Sequence, residues 1–143
     1  MSGETDLGTL LRGLRAELVP GVFVFATLRD RALPPGLTPR MVFQEAEGTT
    51  VIVLKSEAEA AGLACEFPCR MITLNVHSAL GAVGFIAAVA TALAAEGLSV
   101  NPVAGFCHDH LFVPEGRAED ALRVLSRIAA QADTGQGGSG QDA

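Results

Sequence analysis

The chain has 143 residues, a net charge of −6 and a hydrophobic share of 49%, without Trp or Tyr. That is enough for one ordinary domain or two very small ones packed as a unit, with an aliphatic core in which Phe is the only aromatic. The acidic balance argues against nucleic acid, whose phosphates need a basic face, and against an anionic membrane surface.

The opening "MSGETDLG" has no basic segment ahead of an apolar run, so no secretory signal is expected and a cytoplasmic location is the natural reading. The uncharged run Met71 to Ala95 is interrupted by Asn75, His77 and Ser78. The part beyond Ser78 is at the short limit for a bilayer, and a buried helix is expected instead. Three cysteines, Cys65, Cys69 and Cys107, suit reduced thiols. The spacing of Cys65 and Cys69 reads as small thiols near a strand start rather than a zinc half-site.

In chain order, Leu7, Leu10, Leu11, Leu14 and Leu18 recur at helical spacing, which predicts a helix over Asp6 to Leu18 with Asp6 as its cap. Gly21 to Leu28 is a continuous apolar run and reads as a buried strand. Arg29 to Arg40, with three prolines, is a surface loop. Met41 to Lys55 reads as a hairpin turning at Glu47 and Gly48. A short helix comes next, with Ser56 and Glu59 at capping-box spacing and Gly62 as its stop.

Cys69 to His77 alternates as a strand. Ser78 is placed to cap a helix from Ala79 to Gly97. Leu98 to Phe106 is a second strand, with Pro102 suiting an edge. Leu111 to Pro114 is a third. Glu115 to Ala132 is a helix by its apolar stripe. The glycine-rich residues 133–143 read as a flexible tail.

The element order predicts an α+β fold. Two ferredoxin-like units of the βαββαβ type stand in tandem, with antiparallel sheets and helices on one face. The first, residues 1–67, is degenerate because its crossover is reduced to the Pro-rich loop. The second spans residues 68–132. The residues show no clean repeat, so this division rests on element order.

Two of the three histidines flank an aspartate in "GFCHDHLFVP", Gly105 to Pro114. A crossover makes the first two strands of the second unit parallel, and its third strand lies antiparallel beside the first. His110 is then expected near His77, with the helix start at Ser78 close by. Such a start offers free N–H groups to a carboxylate or phosphate. The residue types leave several readings open. His77, His108 and His110 are of the right kind for zinc, but the spacing matches no standard motif. Cys107 beside His108 invites a nucleophile and base, but strand neighbours point to opposite faces and nothing else supports catalysis. A pocket holding a small anion or zwitterion is the third reading. In the fourth, Asp109 simply caps a turn and the histidines are solvated.

The stretch "LNVHSALGAVGFIAAVATALAAEGLSVNPVAGFCHDHLFVPEGRAEDAL" resembles an ACT-like bacterial family of short, stand-alone proteins built of tandem ACT-type units. It was first catalogued as a domain of unknown function. The strand ending in "HS", "GLSVN" and above all "HDHLFVP" carry the likeness, which extends over about residues 6 to 132. The resemblance implies an ACT fold that binds a small ligand, often an amino acid, at the loop between first strand and first helix. By position that loop is His77, Ser78, Ala79 and Leu80, faced by Asn101 and Val103. The usual Asp-x-Pro-Gly type loop is replaced by "HSALG".

On this reading the chain is a ligand-sensing regulatory protein, not an enzyme, with no cofactor and no bound metal. Backbone groups at Ser78 to Leu80 take the carboxylate, and Asn101, His108, Asp109 and His110 contact the rest, Asp109 taking an amino group. A homodimer is expected. A metal module of His77, His108 and His110, and a structural interaction domain, are the alternatives.

Overall fold

The computed structural model describes residues 3–30 and 32–138; residues 1, 2, 31 and 139–143, including the end of the expected tail, lie outside it. The first helix, α1, spans Leu7–Gly13 and is capped as expected: the Asp6 carboxylate accepts from the Thr9 N–H at 2.9 Å. It ends five residues earlier than the leucine spacing predicts. Gly13 is a weak helix former, Leu14 turns extended, and the Arg15 guanidinium donates to the Leu14 carbonyl at 2.8 Å. Ala16–Leu18 instead forms strand β1, which gains a ladder against a buried strand.

The remaining strands are β2 (Phe23–Leu28), β3 (Met41–Gln44), β4 (Thr49–Leu54), β5 (Glu66–Leu74), β6 (Asn101–Ala104) and β7 (Asp109–Pro114). They form one sheet in the order β3-β4-β2-β5-β7-β6, with β1 also on β5. Every pair is antiparallel. β5 and β6 both run against β7, so they are parallel to each other, as the crossover requires. Pro102 stands on the edge strand β6, where its missing donor costs no ladder bond.

Register reveals a repeat that the residues hide. Met41 pairs with Ile52 just as Asn101 pairs with Phe112, sixty positions on. Phe23 pairs with Leu54 as Cys69 pairs with Pro114, so β2 corresponds to β5. The burial patterns of β4 and β7 are identical. The expected boundary at residues 67 and 68 falls inside β5, which pairs with strands of both halves.

Helices cover one face of the sheet. α1, α3 (Phe85–Ala95) and α4 (Ala118–Gly138) pack on Ile72, Leu74, Leu111 and Val113. α2 (Lys55–Ala60) helps cover Val24, Ala26, Val51 and Val53. The opposite face curls on itself around Phe23, Ile52, Cys69, Met71 and Phe112. The Phe25 and Phe112 rings come to 5.9 Å although β5 lies between their strands, closer than the roughly 10 Å expected of a flat sheet at that separation.

Several boundaries in the second half differ from expectation: β6 is shorter, Asn101–Ala104, and β7 begins at Asp109 rather than Leu111. β5 stops at Leu74, leaving His77 in a loop, and α3 begins at Phe85 rather than Ala79. The cause is remote. Glu4 bridges to Ser78, its N–H donating to the His77 carbonyl at 2.8 Å and its carbonyl accepting from Ala79 at 2.9 Å, which holds 77–79 extended. Helix α4 continues through Gly138, beyond the expected end at 132. The capping box at Ser56 is also absent: α2 starts at Lys55, one residue earlier, with no side-chain cap, while Gly62 (φ +67°) stands just past its end as expected.

Candidate functional site

The loop after β5, the first turn of α3 and the start of β7 converge on a cavity of about 190 Å³. Ser78, Leu80, Gly84, Phe85, Gly105 and Asp109 are among the residues around it. Asp109 is 8% exposed and accepts from the Ser78 hydroxyl at 3.0 Å. A carboxylate has room for several further donors. Ser78 therefore holds Asp109 rather than a helix.

The helix end that opens on this cavity is six residues beyond the expected one. Gly84, in the left-handed region at φ +96°, precedes the first turn, and no side chain caps it. The first carbonyl to be satisfied is that of Gly84, by Ala88 N–H at 2.9 Å, so the N–H groups of Phe85, Ile86 and Ala87 precede the helical ladder. All three of these residues line the cavity. The arrangement sets a carboxylate, Asp109, opposite a helix N-terminus of positive dipole, the two charges of a zwitterion in mirror image. Ala79, Ala82 and Ile86 add apolar wall to the cavity.

The expected site residues divide into two groups. Ser78, Ala79, Leu80 and Asp109 are brought together. His77, Asn101, Val103, His108 and His110 are not among the residues around the cavity: Asn101 pairs with Phe112 and Val103 with His110, on the curled face that turns away from the helices. Alternation along β7 separates Asp109 from its neighbours on either side. His110 stands opposite Thr73, not His77, and its Nδ1 lies 3.1 Å from the Thr73 hydroxyl. Burial, the neighbouring His108 and Arg40 lower the His110 pKa from 6.5, against a smaller opposing pull from Asp109. His77 offers its carbonyl to Glu4. Among the described residues no group of three or more His, Cys, Asp or Glu side chains can hold a metal ion. Cys107 is exposed, and the Cys69 thiol, buried beside the Phe23 carbonyl at 3.3 Å, is pushed up to about 12.

Sequence reasoning missed Gly84 to Ala87. The signal was the glycine pair Gly81 and Gly84 inside an Ala-rich run, which reads as helix until the second glycine is taken as a left-handed stop before a new start. A larger open groove of about 630 Å³ runs between α1 and α4, but it contains no buried polar side chain, and its Arg15 already donates to backbone carbonyls.

A sheet with this order, carrying its cavity between the first loop and first helix of a unit, defines an ACT-type protein. Two family models, each described as an ACT domain, match residues 2–70 and 66–127. A Vibrio cholerae protein described as of unknown function and as a possible transport protein is 40% identical; the match covers 86% of this chain and 95% of that one, with a TM-score of 0.76. The chain belongs to the ACT-domain family, as a small protein of two ACT domains in tandem. Its fold is also that of an Agrobacterium tumefaciens protein (15% identity, 81% and 89% covered, TM-score 0.66). The regulatory subunit of aspartate kinase from Thermus thermophilus, in ligand-free form, shares it too (14%, 79% and 95% covered, TM-score 0.59). A search of the curated proteins finds no match. Among the described residues no helix is long and apolar enough to cross a membrane.

Proposed function

We propose that this chain is a regulatory protein that binds a small amino acid at the cavity between Asp109 and the start of α3, and that it carries no catalysis of its own. The observation that carries this is the buried Asp109, facing a helix N-terminus that no side chain caps. The ligand ammonium pairs with Asp109, and its carboxylate takes the N–H groups of Phe85 to Ala87. At about 190 Å³ the space suits a short side chain. Asn101, Val103, His108 and His110 lie outside this set and act, on this reading, through the sheet that carries Asp109. The first unit has Thr49 where the second has Asp109, and a proline-rich loop where the second has α3, so one site per chain is proposed.

The test is a thermal-shift screen over the amino acids. A ligand at a hundredfold excess over its Kd stabilises the native state by about 2.7 kcal/mol. Stabilisation by one or a few amino acids, lost in Asp109→Asn, supports the site. No stabilisation by any of them removes the amino-acid reading. A metal module of His77, His108 and His110 has no support from the geometry, since among the described residues these side chains form no group that could hold a metal ion.

The cytoplasm is the proposed location, consistent with three free thiols. The unit boundary proposed at 67 and 68 leaves Glu66 and Phe67 of β5 to the first ACT unit and the rest of the strand to the second, on which β1 pairs. A homodimer is proposed through the sheet end at β3, where Val42 and Phe43 are 46% and 62% exposed. Sedimentation of Phe43→Lys against the parent chain checks it: equal mass for both at every concentration removes the β3 edge as the interface. A structural interaction domain without ligand becomes the better reading if the screen fails and the dimer stands.

A further inference from the structure

The repeat exposes a gap in the first unit. Hydrogen-bonded pairs alternate along an antiparallel ladder. The Lys55 N–H donates to the Val22 carbonyl at 2.8 Å, so even-numbered residues of β2 turn their backbone groups toward β4. Phe23, Phe25 and Thr27 turn theirs the other way, toward β5. There Phe23 meets Cys69 and Phe25 meets Glu66, but Glu66 is where β5 begins. Among the described residues no strand continues opposite Thr27. The equivalent residue in the second unit, Thr73, is paired with Glu17 of β1. The second unit thus fills with three extended residues, Ala16–Leu18, a position that the first leaves open.

The opening is a cavity of about 500 Å³ bounded by Phe25, Thr27, Thr50, Glu45, Cys65 and Glu66. Thr27 is exposed, and no described lysine or arginine lines the space. Glu66 is paired with Phe25, so its side chain shares a face with Phe25 and Thr50. A residue placed opposite Thr27 would present its side chain on that same carboxylate-bearing face.

We propose that this gap is a docking site for a short extended peptide segment of a partner protein, with a basic side chain opposite Thr27. The segment takes the place that β1 takes in the second unit. Its N–H donates to the Thr27 carbonyl, its carbonyl accepts from the Thr27 N–H, and its cationic side chain reaches Glu45 and Glu66. The site lies on β2, apart from the cavity at Asp109, and does not depend on it.

The test uses the full chain and three capped pentapeptides: acetyl-Ser-Val-Lys-Val-Ser-amide, the same with Glu for Lys, and the lysine peptide N-methylated at Lys. In ¹H–¹⁵N correlation spectra the lysine peptide shifts the amides of Thr27, Cys65 and Glu66 in a saturable way. The glutamate and N-methyl peptides bind more weakly, as does the lysine peptide to the Glu45→Lys/Glu66→Lys variant. About tenfold is expected for two exposed ion pairs. Both carboxylates are exposed, and the bond lost, from the Thr50 hydroxyl to Glu45, is at the surface, so the variant keeps its fold. No shifts at Thr27, equal binding of the N-methyl peptide, an unchanged affinity in the double variant, or equal binding of free lysine each overturn the proposal.

Discussion

Ser78→Ala removes one hydroxyl and leaves Asp109 without the donor that now satisfies it. Asp109 is 8% exposed, so the lost bond is not simply traded for bulk water. A buried acceptor left unpaired costs about 1–3 kcal/mol, more when charged. Ser78 itself is half-buried and a water can reach its place, so the lower half of that range applies, about 1.5 kcal/mol. For a chain of this length that lowers the melting temperature by roughly 3–6 °C. Urea unfolding followed by circular dichroism is the assay, and the midpoint should fall with an unchanged slope. The same substitution in an Asp109→Asn background should cost about 1 kcal/mol less, because the pair is in direct contact. A Ser78→Ala chain within about 0.3 kcal/mol of the parent, or an equal loss in both backgrounds, would refute the idea that this bond anchors the loop.

Phe112 is 2% exposed and meets Phe23 and Phe25 edge to face at 6.1 and 5.9 Å, so Phe112→Ala should destabilise by about 3–5 kcal/mol in the same unfolding assay. His110 titrates below 6.5 when folded, so the unfolded chain takes up its proton first. Its contribution is complete above pH 6.5 and is lost as pH falls toward the lowered folded value. His110→Gln should flatten the dependence of stability on pH below 6.5, and an unchanged profile would show that other groups set it. A thiol reagent should find Cys65 and Cys107 in the native protein and Cys69 only after unfolding; three equally fast thiols would contradict the burial of Cys69.

Much of the fold was legible residue by residue. The Asp6 cap, the hairpin closing at Gly48, the Pro102 edge and the stop at Gly62 arise from the preferences of single residues, which act over a few positions. Gly62 shows why such signals hold: its φ of +67° lies in the left-handed region, which glycine adopts without strain. Chain order also set the start of β7 beside the end of β5, because the crossover requires it, and this brings Asp109 near Ser78.

The features that the sequence could not decide were set by distant partners. Leu14 and Leu18 repeat at helical spacing, yet that spacing reports only that they seek burial. Whether they find it on a helix or a strand depends on the exposed edge of β5. Ser78 precedes an apolar run and reads as a cap until Glu4, far away in the chain, pairs with it and holds the segment extended. The helix start then moves to Gly84, and the polar end of the cavity moves with it. Local chemistry determined which residues cap, turn and bury; only the tertiary pairing determined which strand or loop each one meets, because a ladder's register is fixed by contacts the chain makes after it folds.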